Sequence, residues 1–357
     1  MEAMDTDIHP AQRAAAERRI RVPGGTMGFL DVIQNLGLFT VILLLAVVLG
    51  LASPVFFTRI NIETLFYDPT IIAAVGIGQA FVILVAGIDL SVGAVVALAS
   101  VLCAGLPWTM GVPVCLSVPI ALAVGALIGS VNGAAVTVFR LPPLIATLAM
   151  MSVARGAAFL YTGGQNLAPV PDIFIAVQGA RIFGVPVISL CKLALAVVAH
   201  FVLSSTRFGR EIDATGGNAV AARLAGIRTN RVITLAYVIS GLSAAVGGLM
   251  ITARLEAGAA TAGMGIELTV ISAVVIGGVS LFGGEGRIGG AMLGVLLLGL
   301  VQNAINLLNV PPNHDHVVTG VVIAFAAGLD VYRRRFVEAS LRRRSVMARM
   351  EDGVRRR

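Results

Sequence analysis

Residues 204–231 read SSTRFGREIDATGGNAVAARLAGIRTNR, a 28-residue polar island with five arginines set between two long apolar runs. Gly216 and Gly217 interrupt the chain and Asn218 is placed to cap a helix. Residues 219–225 then supply about two turns, and Gly226 falls just past the end, where a left-handed residue closes a helix. A helix this short has no stability of its own. Apart from Val220, Arg223 and Leu224 its side chains are small, so one face can lie against a partner's groove while the arginine stays at the rim. A solvated interhelical loop would be equally polar. On either reading the island divides the apolar sequence in two and governs how the spans are counted.

Those apolar runs define the class. Hydrophobic residues make up 57% of the 357-residue chain, charged residues 13%, and the mean hydropathy is +0.93, the composition of an integral membrane protein. Gly and Pro break the runs, with none of the two-residue alternation of a barrel strand, and a helix needs about 20 residues to cross the hydrocarbon core. The spans are therefore expected to be helical. Cys103, Cys115 and Cys191 sit in apolar segments without CxxC spacing, which suggests neither a disulfide framework nor a zinc site and leaves them as packing residues.

Charge orients the spans. The first 30 residues mix Arg13, Arg18, Arg19 and Arg21 with acids, and the first apolar run, residues 36–52, is long for the core of a cleaved signal, so none is expected. Residues 332–357 carry ten arginines against Glu338, Glu351 and Asp352. Next to a span, this excess follows from positive-inside placement and not from nucleic-acid binding. The same rule puts both tails and the island on the cytoplasmic face, so an even number of spans separates each pair. Spans are expected near 36–53, 70–86, 90–106, 112–138, 143–161, 187–203, 232–253, 267–279, 288–308 and 317–331, six before the island and four after. The organisation is thus a tail over 1–33, a membrane domain over 34–331 containing the 204–231 loop, and a basic tail over 332–357.

The chain also echoes itself. Gly87-Ile88-Asp89-Leu90-Ser91-Val92 recurs as Gly265-Ile266-Glu267-Leu268-Thr269-Val270, and Asn132 with Pro142-Pro143 is loosely mirrored by Asn303 with Pro311-Pro312. An odd number of spans between the copies places them at opposite ends of the membrane, the mark of an inverted repeat and of transporters. Asp89 and Glu267 are carboxylates at membrane helices, where charge is costly and marks pathways or pairing sites. Both also suit plain capping, Asp89 ahead of Leu90-Ser91-Val92 and Glu267 in a first turn. Arg155 is the other charge within an apolar run, as part of a path or as a snorkelling or loop-facing arginine. Gly125, Gly129 and Gly133 form a four-residue ladder that Gly290 and Gly294 repeat, a signal of close helix contact.

Several chemistries are excluded. Gly284-Glu285-Gly286-Arg287-Ile288-Gly289 matches GxGxxG but lies between spans and follows no strand. The only lysine is Lys192, flanked by Cys191 and Leu193, so no Walker nucleotide loop is present. Neither HExxH nor a GxSxG elbow occurs, and His314-Asp315-His316 reads as polar surface rather than a metal pair.

Taken together, the motifs resemble the permease subunits of ribose-type ATP-binding-cassette importers. The resemblance runs from about residue 36 to 330. It is carried by Gly78-Gln79, Gly87 to Gly93, Asn132-Gly133, Ile145-Ala146-Thr147-Leu148, Ala154-Arg155-Gly156 and Thr162-Gly163-Gly164-Gln165. Thr206-Arg207-Phe208-Gly209-Arg210, Gly216-Gly217-Asn218, Ala221-Ala222-Arg223, Gly226-Ile227, Gly265 to Leu268, Val275 to Gly278, Ser280 and Gly283-Gly284 complete it.

The resemblance implies a pore-forming chain in the inner membrane that pairs with a second permease copy, two cytoplasmic ATPases and an extracytoplasmic sugar-binding protein. ATP and magnesium would sit on the ATPases, with no cofactor or metal on this chain. The ATPase-coupling residues would be Gly209, Arg210, Glu211, Gly216, Asn218, Ala222, Arg223 and Gly226. Asp89, Ser91, Asn132, Arg155, Glu267 and Asn303 are the candidates for the path or its gate, and the outward loops, including residues 163–186, for docking the binding protein. Ala149 stands where the family more often has Gly and Leu144 where it often has Phe, and residues 309–316 are an unfamiliar connection; these departures weaken a substrate assignment. The rival is an ion-coupled transporter of a small polar solute with Asp89 and Glu267 holding the ion. A membrane-embedded scaffold without transport is disfavoured by polar groups at helix breaks.

Overall fold

A computed structural model describes residues 24–309 together with 317, 320 and 321, with side chains from residue 37 onward. Its elements in chain order are α1 (Gly24–Ala52), α2 (Arg59–Tyr67), α3 (Thr70–Leu84), α4 (Val92–Met110), α5 (Val114–Thr137), α6 (Pro143–Thr162) and α7 (Asp172–Gly179). A two-stranded hairpin, β1 (Arg181–Ile182) with β2 (Val185–Pro186), leads into α8 (Val187–Ser205), α9 (Arg207–Gly217) and α10 (Ala219–Leu224). The bundle closes with α11 (Thr229–Leu255), α12 (Ile266–Ile276) and α13 (Ile288–Leu307).

Among the described residues, 7 helices are long and apolar enough to cross a membrane, with α2 and α3 counted as one run, Arg59–Leu84. Two shorter apolar helices, Gly37–Ala52 and Ile266–Ile276, accompany them. Each span expected up to residue 308 has its helix. The last, 317–331, lies outside the described residues apart from helical positions 317, 320 and 321, as do residues 310–316 with the His314–His316 segment.

Local chemistry sets the boundaries. Pro143 opens α6 at its first turn, where its missing N–H costs nothing, and Gly163 at φ +59° closes it. Gly111 at φ +63° closes α4 in the same way. Thr206 starts α9, its Oγ1 accepting the Gly209 N–H at 3.3 Å.

The interior is built from small residues. α3 is buried along nearly its whole length, and α11 runs beside α3, α4 and α5. The glycine ladder of α5 allows this. A Cβ on Gly125 would meet the Gly241 carbonyl of α11, one on Gly129 would meet the Tyr237 carbonyl, and one on Gly133 would meet Thr234. α12 and α13 repeat the device, Gly294 lying on the Ala273 carbonyl and Gly277 on that of Gly290. These backbone approaches are the packing mode of membrane helices, where lipid supplies no hydrophobic drive for association.

The structure revises three expectations. Cys103 is buried, but Cys115 and Cys191 are exposed on α5 and α8, so only the first is a packing residue. The island is helical on both sides of Gly217–Asn218, since α9 precedes the expected short helix. And the two copies of the internal echo do not lie at opposite ends of the bundle. Gly93, in the first turn of α4, abuts the Glu267 carboxylate in the first turn of α12. The parity count assumed that every span begins at a membrane face, whereas α12 has 11 residues and a length of about 16 Å, roughly half a bilayer.

Candidate functional site

Both copies of the echo sit where a helix is interrupted. α3 ends at Leu84 and α4 begins at Val92, and the seven residues between them turn inside the bundle. Ala86 adopts φ +59° there, a conformation that side chains other than glycine seldom take. α11 ends at Leu255, and the chain returns along α4: Gly258 lies against Ala104 and Gly263 against Val96 and Gly93, after which α12 starts. From that meeting point the helices run in opposite directions. α4 follows the C-terminal half of α11, while α12 follows α3 towards the Leu84 end, where Gly284 N–H donates to the Leu84 carbonyl at 2.8 Å. Two helix N-termini, each with free N–H groups and a positive dipole end, thus converge inside the membrane domain.

Asp89 is sealed into its break. It is 1% exposed; its Oδ1 accepts the Ser91 N–H at 2.9 Å and the Ser91 hydroxyl at 2.6 Å, and its Oδ2 accepts the Ser240 hydroxyl of α11 at 2.8 Å. Ser91 Oγ in turn accepts from Asn132 Nδ2 of α5 at 2.9 Å. The Gln79 amide of α3, oriented to satisfy both its ends, donates to the Asp89 carbonyl at 3.1 Å and accepts the Asp89 N–H at 3.2 Å. Tyr237 and Thr147 hydroxyls both reach the Ile88 carbonyl at 3.3 Å. Four helices, α3, α5, α6 and α11, thereby supply donors and acceptors to one interrupted segment, and buried backbone that leaves its helix needs such partners in a membrane. Asp89 is not a helix cap in the strict sense, because it binds the N–H of Ser91, itself the residue before the helix. One group is left over: the Asn132 Oδ1, buried and without a hydrogen-bond partner.

Glu267 is in a different position. Its Oε2 is buried against Gly93 and also lacks a hydrogen-bond partner. Arg155 of α6, half-buried, interacts with this carboxylate through charge and sends Nη1 to the carbonyls of Ala260 and Ala262, both at 2.8 Å. It therefore pins the segment leading into α12 and does not snorkel. Of the six candidate path residues, the structure brings Asp89, Ser91 and Asn132 into one cluster and Arg155 and Glu267 into a second beside it. Asn303 lies elsewhere, exchanging two hydrogen bonds with Asn61 of α2, at 2.7 and 3.2 Å, in a buried pair.

The island meets the start of the first break and the turn after α12. Asn218 Oδ1 caps α10 by accepting the N–H groups of Val220 and Ala221 at 3.1 and 3.0 Å, and Gly226 follows at φ +86°. Ala222 is 5% exposed and faces its own chain; Val220 and Leu224 are 69% and 87% exposed and form the outward face. Arg223 Nη2 donates to Thr229 Oγ1 at 3.3 Å, and Arg207 pairs with Glu211 at 3.0 Å on the surface of α9. Gly209 lies on the Leu203 carbonyl, and Gly216 lies on the Leu84 carbonyl and the Gly284 N–H. No side chain fits at Gly216. It is the wedge through which the island rests on the end of α3 and on the turn after α12.

The opposite end of the bundle is tied by charges. Glu63 of α2 pairs with Arg59 at 2.8 Å and with Arg181 of the hairpin at 2.7 Å, and Arg254 pairs with Asp68 at 2.8 Å. Gln79, Thr147, Tyr237 and Ser240 escaped the sequence reading of the site. A polar residue inside an apolar run was the available signal, but only folding shows that these four converge.

Known proteins match most of the chain's length. A family profile described as "Branched-chain amino acid transport system / permease component" matches residues 61–327. The ribose import permease protein RbsC of Bacillus subtilis is 39% identical over 85% of this chain and 94% of its own length. RbsC of Haemophilus influenzae is 35% identical over 82% and 92%, and the D-allose transport system permease protein AlsC of Escherichia coli K12 is 35% identical over 82% and 90%. No solved structure matches the chain. With a helical membrane bundle, broken helices at its centre and relatives of this identity over most of its length, the chain belongs to the family of permease subunits of ribose-type ATP-binding-cassette importers.

Proposed function

We propose that this chain is the membrane subunit of an importer that moves a monosaccharide or similar small polyol into the cytoplasm, driven by ATP hydrolysed on separate subunits. The observation that carries the reading is the glycine wedge: Gly216, at the end of α9, bears on Leu84, where the first helix break begins, and on Gly284, in the turn after α12. Relatives named for ribose and D-allose support the sugar class.

In this account two ATPase subunits, which hold ATP and magnesium, grip the outward face of α10 at Val220 and Leu224, with Gly209, Arg210 and Glu211 in its approach. Their closure shifts α9 and α10 as a unit. The wedge passes that displacement to the Leu84–Asp89 break and, through the Ser280–Gly284 turn, to α12, whose far end carries Glu267. Interrupted helices repack between discrete arrangements more readily than continuous ones, and the switch exposes the path to one side and then the other. Glu267, Arg155 and Asn132 present the acceptors and donors that sugar hydroxyls use. Sugar arrives from an extracytoplasmic binding protein on the loops around residues 163–186. Both tails and the island face the cytoplasm of the inner membrane, lipid surrounds the bundle, and a second permease copy completes the pore. Neither nucleic acid nor a metal takes part on this chain. The ion-coupled alternative gains no support, since Asp89 already has a donor for each carboxylate oxygen.

The test is uptake of labelled ribose, D-allose and L-arabinose into proteoliposomes holding the chain with its neighbouring ATPase and binding protein. The proposal expects uptake that needs internal ATP and persists with all ion gradients dissipated. Uptake driven by a sodium or proton gradient without the ATPase would refute it.

A further inference from the structure

Residues 256–265, between α11 and α12, run back along α4 without forming a helix. Backbone at membrane depth that leaves its helix takes its hydrogen bonds from protein, so whatever supplies them fixes where the segment lies. Within it, Ala262 N–H donates to the Ala259 carbonyl at 3.1 Å and Met264 N–H to that of Thr261 at 3.3 Å. α4 adds Ser100 Oγ, which accepts the Ala259 N–H at 3.4 Å. α6 and the loop after it add four bonds. Arg155 gives the two to Ala260 and Ala262, and Leu167 and Gly258 exchange a pair, Leu167 N–H to the Gly258 carbonyl at 2.8 Å and Gly258 N–H to the Leu167 carbonyl at 2.9 Å. This isolated antiparallel bridge is seated on α4, since a Cβ on Gly258 would meet Ala104 and one on Gly105 would meet the Leu167 side chain.

α6 reaches the other break as well. Near its start Thr147 Oγ1 donates to the Ile88 carbonyl at 3.3 Å, and near its end the Tyr161 and Thr109 hydroxyls share a hydrogen bond at 2.7 Å. Yet five of its 20 residues are buried, whereas α3 is buried along nearly its whole length. A helix packed on one face and tied by polar contacts shifts as a body more readily than one enclosed on all sides, and takes its tied partners with it. We infer that α6 and residues 163–171 form a tie between the outward surface and both helix breaks, and that Leu167 is the positioning residue through which this tie sets residues 256–265 and, nine positions after Gly258, Glu267. The inference rests on the importer reading, in which the sugar-binding protein seated on this loop is the load. It gives the Gly216 wedge an outward counterpart: the wedge bears on the turn after α12, and the tie bears on the segment before it.

Uptake of labelled ribose, D-allose or L-arabinose, whichever the unaltered chain carries, is measured against binding-protein concentration in proteoliposomes that also hold the ATPase. Leu167→Pro removes the bridging N–H, and Leu167→Ile keeps it. Leu167→Pro is expected to lower the maximal rate about fivefold or more with the half-saturating concentration within about twofold, and Leu167→Ile to restore the rate. A raised half-saturating concentration at an intact maximal rate would make Leu167 a docking contact and overturn the tie, as would equal rates for the proline variant and the unaltered chain. Hydrogen exchange on the unaltered complex needs no variant and stands if Leu167→Pro fails to fold. Adding sugar-loaded binding protein is expected to change the protection of residues 163–171 and 256–267 together; a change confined to 163–171, or none in either, would overturn the proposal. Failure of the importer reading would appear separately, as no uptake by the unaltered chain that depends on ATP and the binding protein.

Discussion

Asp89 and Glu267 stand in nearly the same six-residue sequence, yet the fold treats them in opposite ways. Asp89 is surrounded: Ser91 and Ser240 saturate it, and Gln79, Thr147 and Tyr237 hold the backbone on which it stands. Glu267 keeps an oxygen without a hydrogen-bond partner and a guanidinium within electrostatic reach. The mirrored asparagines diverge in step, Asn132 reaching Ser91 while Asn303 turns to Asn61. Side-chain length accounts for part of this. An aspartate can reach the N–H two residues ahead, which closes a local turn. A glutamate in a first turn is one methylene longer and extends past its own backbone to the neighbouring helix. A break that must stay fixed therefore carries the short, saturated acid, and the break beside an exposed face carries the longer one with an acceptor to spare.

The sharpest way to break this comparison is to remove each carboxylate. Asp89→Ala orphans two hydroxyls and one N–H inside the bundle at about 1–3 kcal/mol each, enough to abolish folded protein. Glu267→Ala should leave at least half the folded yield in detergent size-exclusion while reducing sugar uptake more than tenfold. Equal loss of yield for both variants would end the distinction. Next in size is the wedge. Gly216→Leu drives a side chain into the Leu84 carbonyl, an overpacking of about 1–3 kcal/mol. It should lower transport per ATP hydrolysed at least fivefold, read in proteoliposomes; unchanged stoichiometry would mean that the wedge transmits nothing.

The island supplies a comparison of its own between inward and outward residues. Leu224→Asp is expected to weaken ATPase copurification more than tenfold with the bundle intact, a loss of about 1.4 kcal/mol or more. Ala222→Trp, which points into the chain, is expected to lower folded yield first. The reverse order would put the docking face on the wrong side of α10. The smallest effect belongs to the outer charge cluster: Arg59→Ala removes a surface pair that is 80% exposed on the arginine side and should shift melting by at most a few degrees.

Much of the fold was legible because apolar length and breaker residues act locally. Pro143, Gly111, Gly163, Asn218 and Gly226 end or begin helices where their own backbone preferences require it. The glycine ladders announced close contact without naming the partner, which proved to be α11 for one and α12 for the other. α9 was missed because Gly209, Gly216 and Gly217 look like a loop; at Gly209 and Gly216, Leu203, Leu84 and Gly284 leave no room for a side chain, and contacts between distant segments cannot be read from residue order. The meeting of the two echoes was hidden for a related reason, since counting spans presumes that each crosses the membrane, and α12 does not. The candidate site was half legible: its charged members stand out against an apolar background, while Gln79, Thr147, Tyr237 and Ser240 resemble ordinary polar residues until folding brings their helices together around the break.

The most direct test of the central claim is affinity purification of the tagged chain from its native membrane in mild detergent, with mass spectrometry of what accompanies it. The account predicts an ATP-binding-cassette subunit in comparable amount, lost on Leu224→Asp. A chain that emerges without such a subunit, from membranes where it still supports uptake, would contradict it.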